Sequence, residues 1–217
     1  MTSVYLIRHA QALGNVQRRF QGRVDQDLTD LGRAQARKAA KRMRAIPLAA
    51  VYSSPLKRAW ETALSITASR KMEPVRCDGV IEIDGGAMEN LLLDELQLHY
   101  PVEAGQFFGE PHNFMGVGGG ESFSAVYDRM RDTILELVAR HPDQNIAVVS
   151  HGAAIRCFMC YALGLPLERM AEVGWGGNTA VSHIIFNADC RQVYSLFDTS
   201  HLDPPPPLAA KEAADRL

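Results

Sequence analysis

A three-layer α/β/α sandwich, with a mostly parallel six-stranded sheet and an inserted cap, is the fold this sequence predicts. Three observations point there. Two apolar runs, Val4-Tyr5-Leu6-Ile7 and Ile146-Ala147-Val148-Val149, lack the alternation of half-exposed strands and read as buried parallel ones. Strand-like and helix-like runs alternate along most of the chain, the order that covers both faces of a sheet with helices. Between residues 78 and 120 the alternation breaks, and scattered glycines and aromatics replace it.

The elements follow in order. After the first strand, Thr29 or Asp30 can cap a helix whose buried face is Ala36, Ala39, Ala40 and Met43, with Pro47 past its end. A short strand over 49–53 leads through Ser54-Pro55 into a helix over 57–69, and 74–77 reads as an edge-like strand. Within 78–120 only 91–100 looks helical. Phe123, Val126, Tyr127, Met130, Ile134, Leu137 and Val138 then keep to one helical face. The strand ending at Ser150, an apolar helix from about Ala153, and strands at 180–186 and 192–197 complete the core. The expected organisation is one domain over 1–203, with the cap at about 78–120 inserted in it. A Pro-rich C-terminal tail over 204–217 follows, extended through Pro204 to Pro207.

Composition excludes several classes. The 217 residues are 47% hydrophobic and 22% charged, values of a globular protein with a full core. A formal net charge of -2 gives no reason to expect nucleic acid or an anionic membrane as partner. No segment approaches a membrane span. The N-terminal apolar run is too short for a signal peptide and is cut by Arg8, so a cytoplasmic setting is expected. Cys157 and Cys160 form a C-x-x-C, but within an apolar helical run where buried packing is the expected role.

The chemistry gathers at strand ends. Arg8-His9, Ser53-Ser54 and Ser150-His151 all fall at expected strand carboxyl ends, the edge where open α/β sheets bind ligands. Two histidines, two arginines and one carboxylate suffice for phosphoryl transfer through a covalent intermediate. His9 as nucleophile needs an unprotonated nitrogen, which the neighbouring Arg8 and Arg58 favour by lowering its pKa. The same arginines can hold the transferring oxygens. Glu82, after the apolar Val80-Ile81, is the candidate acid for the leaving oxygen, in an environment expected to raise its pKa. Taken singly, Arg58 could be a surface charge, Glu82 a loop cap, Asn15 a turn residue and His151 a core histidine. Packing gives no reason to place Arg-His and Ser-His-Gly at the ends of two buried strands.

Motifs over most of the chain, from Val4 to about Phe186, resemble the histidine phosphatase superfamily, also called phosphoglycerate mutase-like. Leu6-Ile7-Arg8-His9-Ala10 is similar to its Arg-His-Gly signature, with Ala10 in place of glycine. Asn15, Gln21-Gly22 and Asp27-Leu28-Thr29-Asp30-Leu31-Gly32 match its next blocks. Tyr52-Ser53-Ser54-Pro55-Leu56-Lys57-Arg58-Ala59-Trp60-Glu61-Thr62-Ala63 matches the pattern carrying the second arginine. Gly119-Gly120-Glu121-Ser122 and Val148-Val149-Ser150-His151-Gly152 match later ones. The resemblance implies His9 as the phosphorylated nucleophile, and Arg8, Arg58 and His151 as the phosphate pocket. It adds Asn15 as a further donor, Gln21 and Gly22 beside the phosphate, and Glu82 as proton donor, with Asp84 and Glu89 close by. It implies no metal and no organic cofactor. Gln11 stands where a glutamate is frequent, and Asn90 where a glycine is common.

A phosphomonoesterase acting on a small phosphorylated substrate is the expected activity. The alternatives are a cofactor-dependent phosphoglycerate mutase and a non-catalytic phosphate- or protein-binding relative. Residues 77–128 contain no lysine or arginine, whereas a mutase must hold a carboxylate and two phosphates. The acidic cap favours a neutral, apolar or cationic leaving group. Met88, Phe107, Phe108, His112 and Met115 are candidates for its wall. Exposed apolar residues in the cap would permit a homodimer. A serine hydrolase is rejected because Val148 stands where the nucleophile elbow needs glycine, and no Walker or dinucleotide glycine pattern occurs.

Overall fold

The structure is a computed structural model and describes residues 1–188 and 190–202. Strand β1 (Thr2–Arg8) is followed by the short helix α1 (Leu13–Val16), α2 (Asp30–Met43), β2 (Leu48–Ser53), α3 (Lys57–Thr67) and β3 (Val75–Arg76). Helices α4 (Leu93–His99) and α5 (Pro101–Gly109) lie in the cap. Helix α6 (Phe123–Arg140), β4 (Asn145–Ser150), α7 (Gly152–Leu163), β5 (Val181–Phe186) and β6 (Arg191–Asp198) complete the chain.

The sheet order is β3-β2-β4-β1-β5-β6. Only β5 runs against the rest, pairing antiparallel with both β1 and β6, so the sheet is mixed but mostly parallel. Successive side chains of a strand point to opposite faces, and the two apolar runs use that alternation to serve two cores. Val4 and Leu6 of β1, with Ile146 and Val148 of β4, join the core that holds α6 and α7. Ile7 of β1, with Ala147 and Val149 of β4, joins the core of Met43 from α2 and Ala59, Ala63 and Ile66 from α3. Burial on both faces is why neither run alternates in sequence.

Thr29 rather than Asp30 caps α2, its hydroxyl accepting from Gly32 N. The cap departs from expectation in one respect. The helix expected over 91–100 is α4, and a second, unexpected helix, α5, follows it, because Tyr100 leaves helical geometry before Pro101 and the proline starts α5 at its first turn. Leu96, Ala104, Phe107 and Phe114 of the cap share one apolar cluster with Phe123, Met130 and Phe158 of α6 and α7. Cys157 and Cys160 are buried in that same cluster. Among the described residues no helix is long and apolar enough to cross a membrane. The tail expected at 204–217 lies outside the described residues.

Candidate active site

Sheet register alone assembles the centre of the site. Ser150 pairs with Arg8, and Val149 pairs with Ser53, so β2, β4 and β1 end side by side. The next residues, Ser54, His151 and His9, therefore emerge together at the carboxyl edge. The His9 and His151 rings lie 5.1 Å apart, centroid to centroid, and both are buried.

Hydrogen-bond directions fix both rings. His9 Nδ1 lies 2.7 Å from the carbonyl oxygen of Ala10. A carbonyl only accepts, so Nδ1 carries the proton and Nε2 keeps its lone pair. Arg58 Nε lies 3.2 Å from His151 Nδ1, and a guanidinium only donates. His151 Nδ1 is therefore an acceptor, and its Nε2–H donates to Ser54 Oγ at 2.7 Å. Both imidazoles are neutral in this arrangement. Burial first, then Arg58, hold both pKa values well below the ordinary histidine range, and Arg8 pushes the same way.

Arg58, only 1% exposed, enters the site from the first turn of α3. Besides His151 it donates to the carbonyls of Gly22 and Val24, both at 2.7 Å. Burial lowers its pKa to about 10, which leaves it a cation at neutral pH. Asp25 Oδ1 accepts from Lys57 N at 2.7 Å, tying the same loop to the start of α3. Gly22 has φ +48°, and an added Cβ would fall 2.2 Å from Glu89 Oε1, so this turn requires glycine. Arg8 donates through Nη1 to the carbonyl of Gly176. Asn15 uses its amide oxygen on Ala12 N, 2.9 Å away, closing the first loop. Gln21 packs its side chain against Gly14, and its amide oxygen is buried.

Glu82 occupies a polar setting where the sequence suggested an apolar one. Its Oε1 accepts from Ala154 N at 2.9 Å and Ile83 N at 3.0 Å, and its Oε2 from Ala153 N at 3.2 Å. The carboxylate thus sits on the N-terminus of α7, the helix that His151 opens, where backbone N–H groups and the helix dipole favour an anion. The neighbouring acids are engaged elsewhere. Asp84 meets Arg23 at 3.4 Å and accepts from Gly86 N at 2.9 Å, while Glu89 accepts from Arg23 N and Gly85 N.

The departures from the family pattern are also explained. Ala10 does not fall among the residues with positive φ, so its Cβ meets no conformational objection. Asn90 does adopt φ +64°, the left-handed turn for which asparagine substitutes best for glycine. Gln11 turns its amide oxygen to the Thr29 hydroxyl, 2.7 Å away.

Sequence reasoning missed four contributors. Arg129 bonds both oxygens of Glu121 at 3.0 Å and also reaches the carbonyls of Gly79, Ile81 and Glu82. Arg23 adds a 3.0 Å ion pair to Glu121. Burial works to raise the Glu121 pKa, but the hydrogen bond and charge of Arg129, with Arg23, bring it below the ordinary value. These two arginines, from outside the cap, neutralise part of the acidity counted within it. Asn178 donates to the carbonyl of His9 at 3.1 Å, and Thr62 Oγ1 accepts from Ala10 N at 3.0 Å. Thr62 stands within the block that carries Arg58, without a role readable there, and the other three stand in no motif with a readable chemical pattern. Only the recurrence of Gly119-Gly120-Glu121-Ser122 hinted at the Arg129 partner.

The description of the family that matches, over residues 4–199, is histidine phosphatase superfamily (branch 1). Phosphoserine phosphatase 1 of Hydrogenobacter thermophilus is 35% identical over 202 residues, covering 93% of this chain and 95% of that protein. Bacillus stearothermophilus YhfR superposes with a TM-score of 0.89 at 31% identity, covering 93% of this chain and 99% of that one. A phosphoserine phosphatase mutant from Entamoeba histolytica, solved with phosphoserine, superposes with a TM-score of 0.82 at 28% identity. That match covers 93% of this chain and all of that one (100%).

Proposed function

The chain belongs to the histidine phosphatase superfamily, and on that premise we propose that it hydrolyses small phosphomonoesters through a phosphohistidine on His9. The observation that carries this reading is the Nδ1–H bond from His9 to Ala10, which leaves a neutral, desolvated Nε2 as the attacking atom. Nε2 attacks phosphorus, the P–O bond to the leaving group breaks, and Glu82, protonated when a phosphate anion sits beside its carboxylate, delivers that proton to the departing oxygen. Water then attacks phosphorus, giving a proton to Glu82, and the P–N bond breaks to release phosphate and restore the imidazole.

Arg58 uses three of its five N–H donors on protein acceptors, which leaves two for phosphate oxygens. Arg8 supplies further donors to the developing charge, His151 joins it by turning its one N–H from Ser54 Oγ to a phosphate oxygen, and Asn15 with the Gln21-Gly22 turn completes the pocket. Glu82 is preferred to Asp84 or Glu89 as the acid because it sits on the first turn of the helix that His151 opens, whereas the other two serve loops around Arg23.

Phosphoserine is the first substrate to try, since a 35% identical relative is named for that activity. Its ammonium group also suits the acidic cap, although Arg23 and Arg129 reduce that acidity. Phosphate release over a panel of monoesters, with His9→Ala as control and acid-quench trapping of labelled enzyme, tests the proposal. Interconversion of phosphoglycerates faster than phosphate release would establish the mutase alternative instead. Saturable phosphate binding without label on His9 would establish a binding role.

A further inference from the structure

Thr179 is a fully buried, β-branched residue at φ +60°. That conformation is a steric outlier for such a side chain and persists only where surrounding contacts hold it. The contacts are specific. Thr179 N donates to the carbonyls of Arg8 (3.1 Å) and His9 (3.3 Å), and the adjacent Asn178 Nδ2 donates to His9 O at 3.1 Å. Residues 178 and 179 therefore grip the main chain that carries the proposed nucleophile.

The grip is fixed from the far side by a chain of directed hydrogen bonds. Thr179 Oγ1 lies 2.7 Å from the carbonyl of Asn178, which can only accept, so the single hydroxyl proton points there. The His201 nitrogen 3.0 Å from Oγ1, Nε2, must then donate. His201 Nδ1 is left to accept from Arg42 Nη1 at 3.3 Å, and Arg42 is anchored on Asp198 at 2.6 Å. Every donor in this series, from α2 through the segment after β6 to the nucleophile, meets an acceptor in a single consistent direction.

We propose that Thr179 is a positioning residue, whose hydroxyl, oriented by His201, holds the 178–179 bend that sets the His9 main chain and ring. Neither residue touches the reacting atoms. The inference rests on the phosphohistidine reading of His9. Thr179→Gly removes the hydroxyl and relieves the positive φ, whereas Thr179→Ser keeps the hydroxyl. His201→Leu removes the donor, and His201→Gln replaces it with an amide N–H.

The test measures melting temperature, kcat and KM with p-nitrophenyl phosphate, and the His9 Nδ1–H resonance by NMR. For Thr179→Gly and His201→Leu, kcat is expected to fall about 10- to 100-fold with KM within about twofold. The Nδ1–H signal should broaden in both, and Thr179→Ser and His201→Gln should largely restore kcat and signal. A Thr179→Gly enzyme with unchanged kcat and resonance would overturn the proposal. So would losses that merely track melting temperature without rescue by serine. Should Thr179→Gly not fold, His201→Leu decides by the same criteria. A wild-type protein that turns over no monoester would defeat the phosphatase reading, while the resonance would still decide the positioning.

Discussion

Arg58 Nε donates to His151 Nδ1 across 3.2 Å, joining a cation from the start of α3 to an imidazole at the end of β4. The bond makes one buried residue responsible for the tautomer of another. Arg58→Lys keeps the charge but loses the fork that reaches His151, Gly22 and Val24 together. We expect kcat/KM to fall about 10²- to 10³-fold, as when one anion-stabilising donor is lost. Steady-state kinetics beside a circular dichroism check of folding would measure it. Near-wild-type turnover would remove Arg58 from the phosphate pocket.

Acid should weaken the fold before it stops the chemistry. His9 and His151 have folded pKa values well below 6.5, through burial and Arg58. Below about 6.5 the unfolded chain takes up protons that the folded rings refuse. Stability from these groups is therefore full above that pH and declines as pH falls toward the folded values. The slope is at most about 1.4 kcal/mol per pH unit for each ring. Denaturant titrations between pH 7.5 and 5 should show the decline, in a range where His9 remains a competent nucleophile. Constant stability across that interval would contradict neutral buried rings.

Glu82→Gln should separate two roles of one carboxylate. As proton donor, Glu82 matters most for poor leaving groups, so an alkyl phosphate should lose about 10²- to 10⁴-fold in kcat. p-Nitrophenyl phosphate, whose leaving oxygen needs little protonation, should lose much less. Stability should drop by about 1 kcal/mol as an acceptor for Ala153 N and Ala154 N is weakened. Equal losses with both substrates would assign Glu82 to structure alone.

The Arg129–Glu121 pair should behave as a clasp on the segment bearing Glu82. Arg129→Leu leaves the partly buried Glu121 carboxylate to Arg23 and Asp84 N alone and frees the carbonyls of Gly79 and Ile81. A loss of about 2–3 kcal/mol is expected in urea unfolding. Arg129→Leu combined with Glu121→Leu should recover part of it, because the under-compensated buried carboxylate is gone. Additive losses in the double variant would argue against the clasp.

His9, His151, Arg8 and Arg58 were legible because each stands at a place the chain marks locally. Three follow or end a strand that is apolar on both faces, and the fourth opens a helix after Ser54-Pro55. The edge they share then follows from strand order. Glu82 was legible by resemblance, but its surroundings were not, since Val80 and Ile81 say nothing of α7. Helix α5 escaped notice because its glycines and aromatics blur the helical period, and Pro101 reads first as a stop.

The sequence by itself determined the layered α/β fold and the candidate residues for phosphoryl transfer, because periodicity and strand ends are properties of neighbouring residues. The tertiary structure alone decided which nitrogen of each histidine holds its proton, where the Glu82 carboxylate rests and what restrains the His9 main chain. Apart from the His9 Nδ1–H bond to its neighbour Ala10, those outcomes are hydrogen-bond directions between segments 70 or more residues apart, such as Glu82 with Ala153 and Asn178 with His9. A donor finds its acceptor only when folding brings both to one point, and no local pattern encodes that meeting.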